Sequence, residues 1–73
     1  MASTYAEVLV EVTGCTTEEA PLVEGYLRLD YGSLSNLSRE QIRRDAREIL
    51  PLVRAEPAAS RRLAVSFGLV AEV

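Results

Sequence analysis

The sequence predicts an all-α fold, a compact bundle of three to four short helices built as a single domain over residues 1–73. Three observations carry this. Thr4-x-x-Glu7, Thr16-x-x-Glu19 and Ser38-x-x-Gln41 each place a hydroxyl three positions before an acid or amide. In that pattern the hydroxyl accepts from a free amide at a helix start while the second side chain reaches back. Glycines at 14, 32 and 68 stand where apolar runs stop, as glycine does at helix ends. Between them, apolar residues recur at three- and four-residue spacing, the period of a one-sided helix.

The first segment runs from about Thr4 to Thr13. As a helix it puts Tyr5, Val8, Leu9 and Val12 on one face and Glu7 and Glu11 on the other, leaving only Val10 stray. As a strand, Val8, Val10 and Val12 alternate with Glu7, Leu9 and Glu11, and valine favours strands. The Thr4 cap and the Gly14 stop favour the helix. The alternative is a small α+β fold in which residues 5–12 and the C-terminal tail pair as strands.

The second segment extends from about Glu18 to Asp30 or Tyr31, with Pro21 in its first turn, where its missing amide costs least. Leu22, Val23, Tyr26, Leu27 and Leu29 form the expected apolar arc, with Glu24 and Arg28 opposite. Gly25, at the arc's edge, offers close approach to a neighbouring backbone. Against alanine it costs about 1 kcal/mol in a helix interior. Gly32–Leu37 then reads as a turn anchored by Leu34 and Leu37.

Ser38 opens the third and most regular segment, in which Ile42, Ala46, Ile49, Leu50 and Val53 share one stripe. Glu40, Arg44 and Glu48 lie across from it as a ladder at four-residue spacing, and Leu37 is placed to staple onto Ile42. Pro51 is expected to break or kink the helix after Leu50. Pro57 begins a fourth segment that continues through Leu63 and Phe67 to Gly68. For the tail Leu69–Val73 fraying, docking on the core and edge-strand pairing all stay open.

A chain of 73 residues buries only about 60% of its unfolded surface, so small domains usually carry a staple. Cys15 is the single cysteine and there is no histidine, so no intramolecular disulfide forms and a zinc site would need carboxylates plus one thiolate. Self-association is the remaining common device. The net charge is −3, and all eight basic residues are arginine. Residues 1–37 carry −5 and residues 38–73 carry +2. This balance does not favour a polyanion as the general partner, but the polarity suits head-to-tail packing or a polarised surface. No apolar run approaches the roughly 20 residues of a membrane span. Glu7 and Glu11 interrupt the only stretch resembling a signal peptide. The expected setting is the reducing cytoplasm.

Asp30 projects into the apolar arc of the second segment. The expected reason is a structural charge pair with Arg39, Arg43 or Arg47, which border the third segment's stripe, because buried acids are rarely unpaired. A carboxylate held for a ligand or partner is the other reading. Arg39, Arg43, Arg44 and Arg47 admit a phosphate-binding face. A solvated salt-bridge face is favoured, since Glu40, Asp45 and Glu48 are interleaved. The span from Asp30 to Ser38 also exceeds the 3–4-residue turn of a helix-turn-helix. Arg61 and Arg62 form a smaller basic pair with the same reading. Cys15 reads as a loop or core thiol. Tyr31 beside Leu34 suits an interface anchor. There is no Ser–His or Cys–His pairing, metal-ligand cluster, phosphate loop or cofactor fingerprint, and chains this small rarely form the roughly 300 Å³ pocket that small ligands need. No enzyme, cofactor, metal or small-molecule ligand is expected.

The stretch Val23-Glu24-Gly25-Tyr26-Leu27-Arg28-Leu29-Asp30-Tyr31-Gly32-Ser33-Leu34, with Leu37-Ser38-Arg39, Arg43-Arg44-Asp45-Ala46-Arg47-Glu48-Ile49 and the closing Arg62–Leu69, resembles small uncharacterised proteins encoded by bacteriophages of actinobacteria. The resemblance covers most of the chain. It implies a setting, the cytoplasm of a bacterial host, and no site residues.

The function expected from these readings is a non-catalytic protein-interaction module, a phage accessory protein that forms a homo-oligomer or binds a host protein. Its candidate interface comprises Tyr31, Leu34, Arg39, Arg43 and Arg47. The alternatives are a small helical DNA-binding regulator and, more weakly, a virion-associated or scaffolding subunit.

Overall fold

In a computed structural model, which describes residues 4–71, the chain forms four helices: α1 (Thr4–Thr13), α2 (Ala20–Tyr31), α3 (Arg39–Ala55) and α4 (Pro57–Ser66). No strand occurs among the described residues, and residues 5–12 are helical. The Cα radius of gyration, 10.9 Å, is close to the roughly 11 Å of a chain this long folded as one body. The fold is an all-α helical bundle.

The helix ends follow local hydrogen bonding. Ahead of α2, the Thr16 amide donates to Glu19 Oε1 at 3.0 Å and the Glu19 amide donates to Thr16 Oγ1 at 3.1 Å. This is a reciprocal capping box, and it closes a turn that runs into the helix. At α3 only half of the box forms. Ser38 Oγ accepts from the Gln41 amide at 3.1 Å, but the Gln41 side chain donates to the Tyr31 hydroxyl instead. The cap expected of the Thr4 side chain lies outside the described part of the structure. At the end of α4, Gly68 adopts φ +73°, donates to Val65 O, and lets the Leu69 amide donate to Ala64 O, each at 2.9 Å. Those two bonds make a Schellman stop.

Helices α2 and α3 pack as an antiparallel pair, tied at one end by Glu19–Arg54 and at the other by Tyr31 to Gln41 and Asp45. Helices α1 and α4 each pack on both members of that pair and do not pack on each other. Leu9, Val23, Leu27, Leu34, Ile42, Ile49 and Val53 form the centre of the core.

This arrangement corrects several expectations. Because α2 is covered by three helices, it is buried on more than one side. Glu24, expected in solvent, is 1% exposed, while Leu29, expected in the core, is 61% exposed in the last turn. Glu24 accepts from Arg28 Nε at 3.1 Å, so the buried acid of this helix is Glu24 and not Asp30. On α1, Val10 packs against the core along with Tyr5, Ala6 and Val12, whereas it was expected to stray. Pro51 does not end α3, which continues to Ala55. Pro51 and Arg47, whose carbonyl the missing amide would have met, are both exposed, so water can serve that carbonyl. Ile49 and Val53, buried on either side of Pro51, hold the last turn to the core. In the tail, Leu69 and Val70 are half-buried; Glu72 and Val73 lie outside the described residues.

The α2–α4 contact is made by small residues. Gly25 faces Ala64, whose Cα would lie 3.5 Å from a Cβ added at position 25. Beside it, buried Ser60 donates to Glu56 O at 2.8 Å. Its proton is therefore committed, and the Tyr26 hydroxyl donates to Ser60 Oγ at 3.1 Å.

Candidate functional site

The candidate surface is the outer face of α3. Burying Ile42, Ala46, Ile49 and Val53 fixes the rotation of this 17-residue helix and turns Glu40, Arg43, Arg44, Arg47 and Glu48 to solvent. The expected ladder of Glu40, Arg44 and Glu48 does not form: none of these side chains lies within ion-pair distance of another among the described residues. Their four-residue spacing permits pairing, but exposed pairs gain little against side-chain entropy. Glu40, Arg43, Arg44 and Arg47 border a shallow notch of about 260 Å³.

Arg39, one turn before Arg43, donates to Glu11 Oε1 at 3.1 Å. That bridge joins the edge of α1 to the start of α3. Both side chains are largely exposed. At the opposite flank of α3, the Tyr31 hydroxyl donates to Asp45 Oδ2 at 2.6 Å and accepts from Gln41 Nε2 at 3.2 Å. Donation to the Asp45 carboxylate pushes the Tyr31 phenol above its usual range. Tyr31 as a whole residue is 42% exposed, so it combines a fixed hydroxyl with access to solvent.

At the far end of the helix pair, Arg54 grips Glu19 with Nε at 2.9 Å and Nη2 at 3.3 Å. The Arg54 hydrogen bond, followed by the bond from the Thr16 amide, draws the Glu19 carboxyl from the usual 4.5 down to about 2. This fork locks the α1–α2 loop onto α3 and is structural.

Of the residues singled out in the sequence, Tyr31, Arg39, Arg43 and Arg47 do reach solvent on or beside α3. Leu34 does not. It is 3% exposed and belongs to the core, because the turn after Gly32 folds inward to close the end of the α2–α3 pair. Asp30 is exposed and makes no ion pair among the described residues; it lies in the last turn of α2 beyond the packed region. Arg44 belongs with the candidate surface, and its position across from the core stripe is the sequence signal for it. Of the exposed apolar side chains Leu52 and Phe67, Leu52 falls outside the core stripe of its segment, whereas Phe67 follows the helical period of its own and carried no such signal.

For other chemistry the surface offers little. Cys15 is buried, and among the described residues no three His, Cys, Asp or Glu side chains converge as metal ligands. No described helix is long and apolar enough to cross a membrane. No family model matches this chain, and neither the curated proteins nor the solved structures compared with it give a match.

Proposed function

We propose that this chain is a non-catalytic protein-interaction module that uses the outer face of α3 to hold an acidic partner surface. The observation that supports the reading is the state of Arg43, Arg44 and Arg47: all three are exposed, and none has an ion-pair partner among the described residues. Guanidinium groups present planar forks that match carboxylates, and here they stand on a helix whose opposite side is packed into the core, so the backbone beneath them is already ordered. Tyr31 adds an aromatic edge of the kind enriched at binding hot spots. The setting implied by the resemblance, a bacterial cytoplasm, is part of this proposal.

The test is a fluorescence-anisotropy titration of labelled polyglutamate, run beside labelled duplex DNA, with the wild type and with Arg43→Glu/Arg47→Glu. The expected result is binding of the acidic polypeptide that weakens by about tenfold or more in the variant. Equal binding by both proteins overturns the assignment of the surface. Tighter, steeply salt-dependent binding of the duplex replaces the reading with a nucleic-acid regulator.

A further inference from the structure

Opposite charges meet where the end of α1 touches the start of α3. Among the described side chains of α1 the exposed ones are Glu7 and Glu11, one turn apart, and Gly14 just beyond the helix is exposed too. The arginines of α3 at 39, 43 and 47 run one turn apart along the flank that Arg39 begins. The Glu11–Arg39 bridge at 3.1 Å joins the two stripes at one end, α1 and α3 being packed together. A surface with an acidic stripe beside a basic one is self-complementary: a two-fold rotation between the stripes lays each over its opposite.

We propose that the partner of the α3 face is a second copy of this chain, docked about a two-fold axis so that Glu7 and Glu11 of each protomer meet Arg43 and Arg47 of the other. This rests on the protein-interaction reading above and names its partner. Charge complementarity selects the occupant. The net charge of −5 on residues 1–37 and +2 on residues 38–73 is the same polarity seen at the level of the whole chain. Carboxylate–arginine contacts at a solvated interface, those of Glu11 shared with Arg39 of its own chain, give at most a weak, salt-sensitive dimer rather than an obligate one. Screening over about 10 Å at 0.1 M salt is enough to loosen it.

The experiment is native mass spectrometry and sedimentation equilibrium of the full chain at low and high salt. Two charge-reversed variants accompany it, Arg43→Glu/Arg47→Glu and Glu7→Arg/Glu11→Arg, each checked for helicity by circular dichroism. The wild type is expected to dimerise at low salt and dissociate as salt rises. Each variant alone carries like-charged stripes and is expected to lose about tenfold or more in dimer affinity. Mixed, the two variants restore every opposite-charge contact across the interface, though not the Glu11–Arg39 bridge within the chain, and are expected to form a heterodimer. A wild-type chain that stays monomeric at low salt while still binding polyglutamate overturns the second-copy inference and leaves the interaction reading standing. A chain that does neither overturns both. A dimer indifferent to salt and to charge reversal also overturns the inference, because its contact then lies elsewhere.

Discussion

Replacing Gly25 with alanine should make the protein more stable, although Gly25 is buried where α2 meets α4. A Cβ at this position would lie 3.5 Å from Ala64 Cα, 3.5 Å from Ala64 N and 3.6 Å from Leu63 Cγ. These are ordinary van der Waals separations, so the methyl fills space without displacing α4. Removing glycine from a helix interior gains about 0.8–1 kcal/mol, mostly by restricting the unfolded chain. The expected net gain is about 1 kcal/mol, equivalent to a rise of roughly 4–8 °C in Tm for a domain of this size. Urea melts followed by circular dichroism, at matched protein concentration, should show a higher midpoint with an unchanged slope. The control is Gly25→Leu. Its further carbons must extend past the Cβ into the Ala64 backbone, so it should cost about 1–3 kcal/mol. Opposite signs for the two substitutions are the signature of a contact with room for one carbon. A Gly25→Ala protein less stable than wild type by more than about 0.5 kcal/mol would refute the reasoning, since it would mean that α4 needs the closer approach.

The Glu19 carboxyl, held near 2 in the fold against the usual 4.5, contributes stability that is complete above about pH 4.5 and is lost as pH falls toward 2. Because Arg54 is mostly solvent-exposed, screening limits this to about 1 kcal/mol, and a pH series of urea melts should find the gap between wild type and Glu19→Gln closing across that window. Arg28→Met strands the buried Glu24 carboxylate and should cost about 2–3 kcal/mol, whereas Glu24→Met should stay within about 1 kcal/mol of wild type; equal losses would refute the pairing. Leu34→Ala should destabilise by about 2–4 kcal/mol as a core deletion, and a loss below 1 kcal/mol by the same melts would put Leu34 back at the surface. Asp30→Ala should change stability by less than about 0.5 kcal/mol.

Local chemistry decided where the helices lie. Thr16, Glu19 and Ser38 cap from within their own turns, Gly68 supplies the one backbone geometry that a Schellman stop requires, and Pro57 accepts a helix's first position; none of these needs a distant neighbour. The core stripe of the third segment was readable because it is simple: α3 buries one side and leaves the other to water. Packing decided the rest. A helical projection assumes a single buried face, and α2 is covered by α1, α3 and α4. Glu24 and Gly25 therefore entered the core while Leu29 and Asp30, in the last turn, ran past it. Pro51 looked terminal because the sequence shows the amide it lacks but not the contacts of Ile49 and Val53 that carry the helix onward. Leu34 turned inward because the end of the α2–α3 pair had to be closed. Which arginines are paired was likewise a tertiary matter. Glu11 lies 28 residues from Arg39, and Glu19 35 from Arg54, separations at which only the fold chooses partners. Arg43, Arg44 and Arg47 were left to solvent by the same choice.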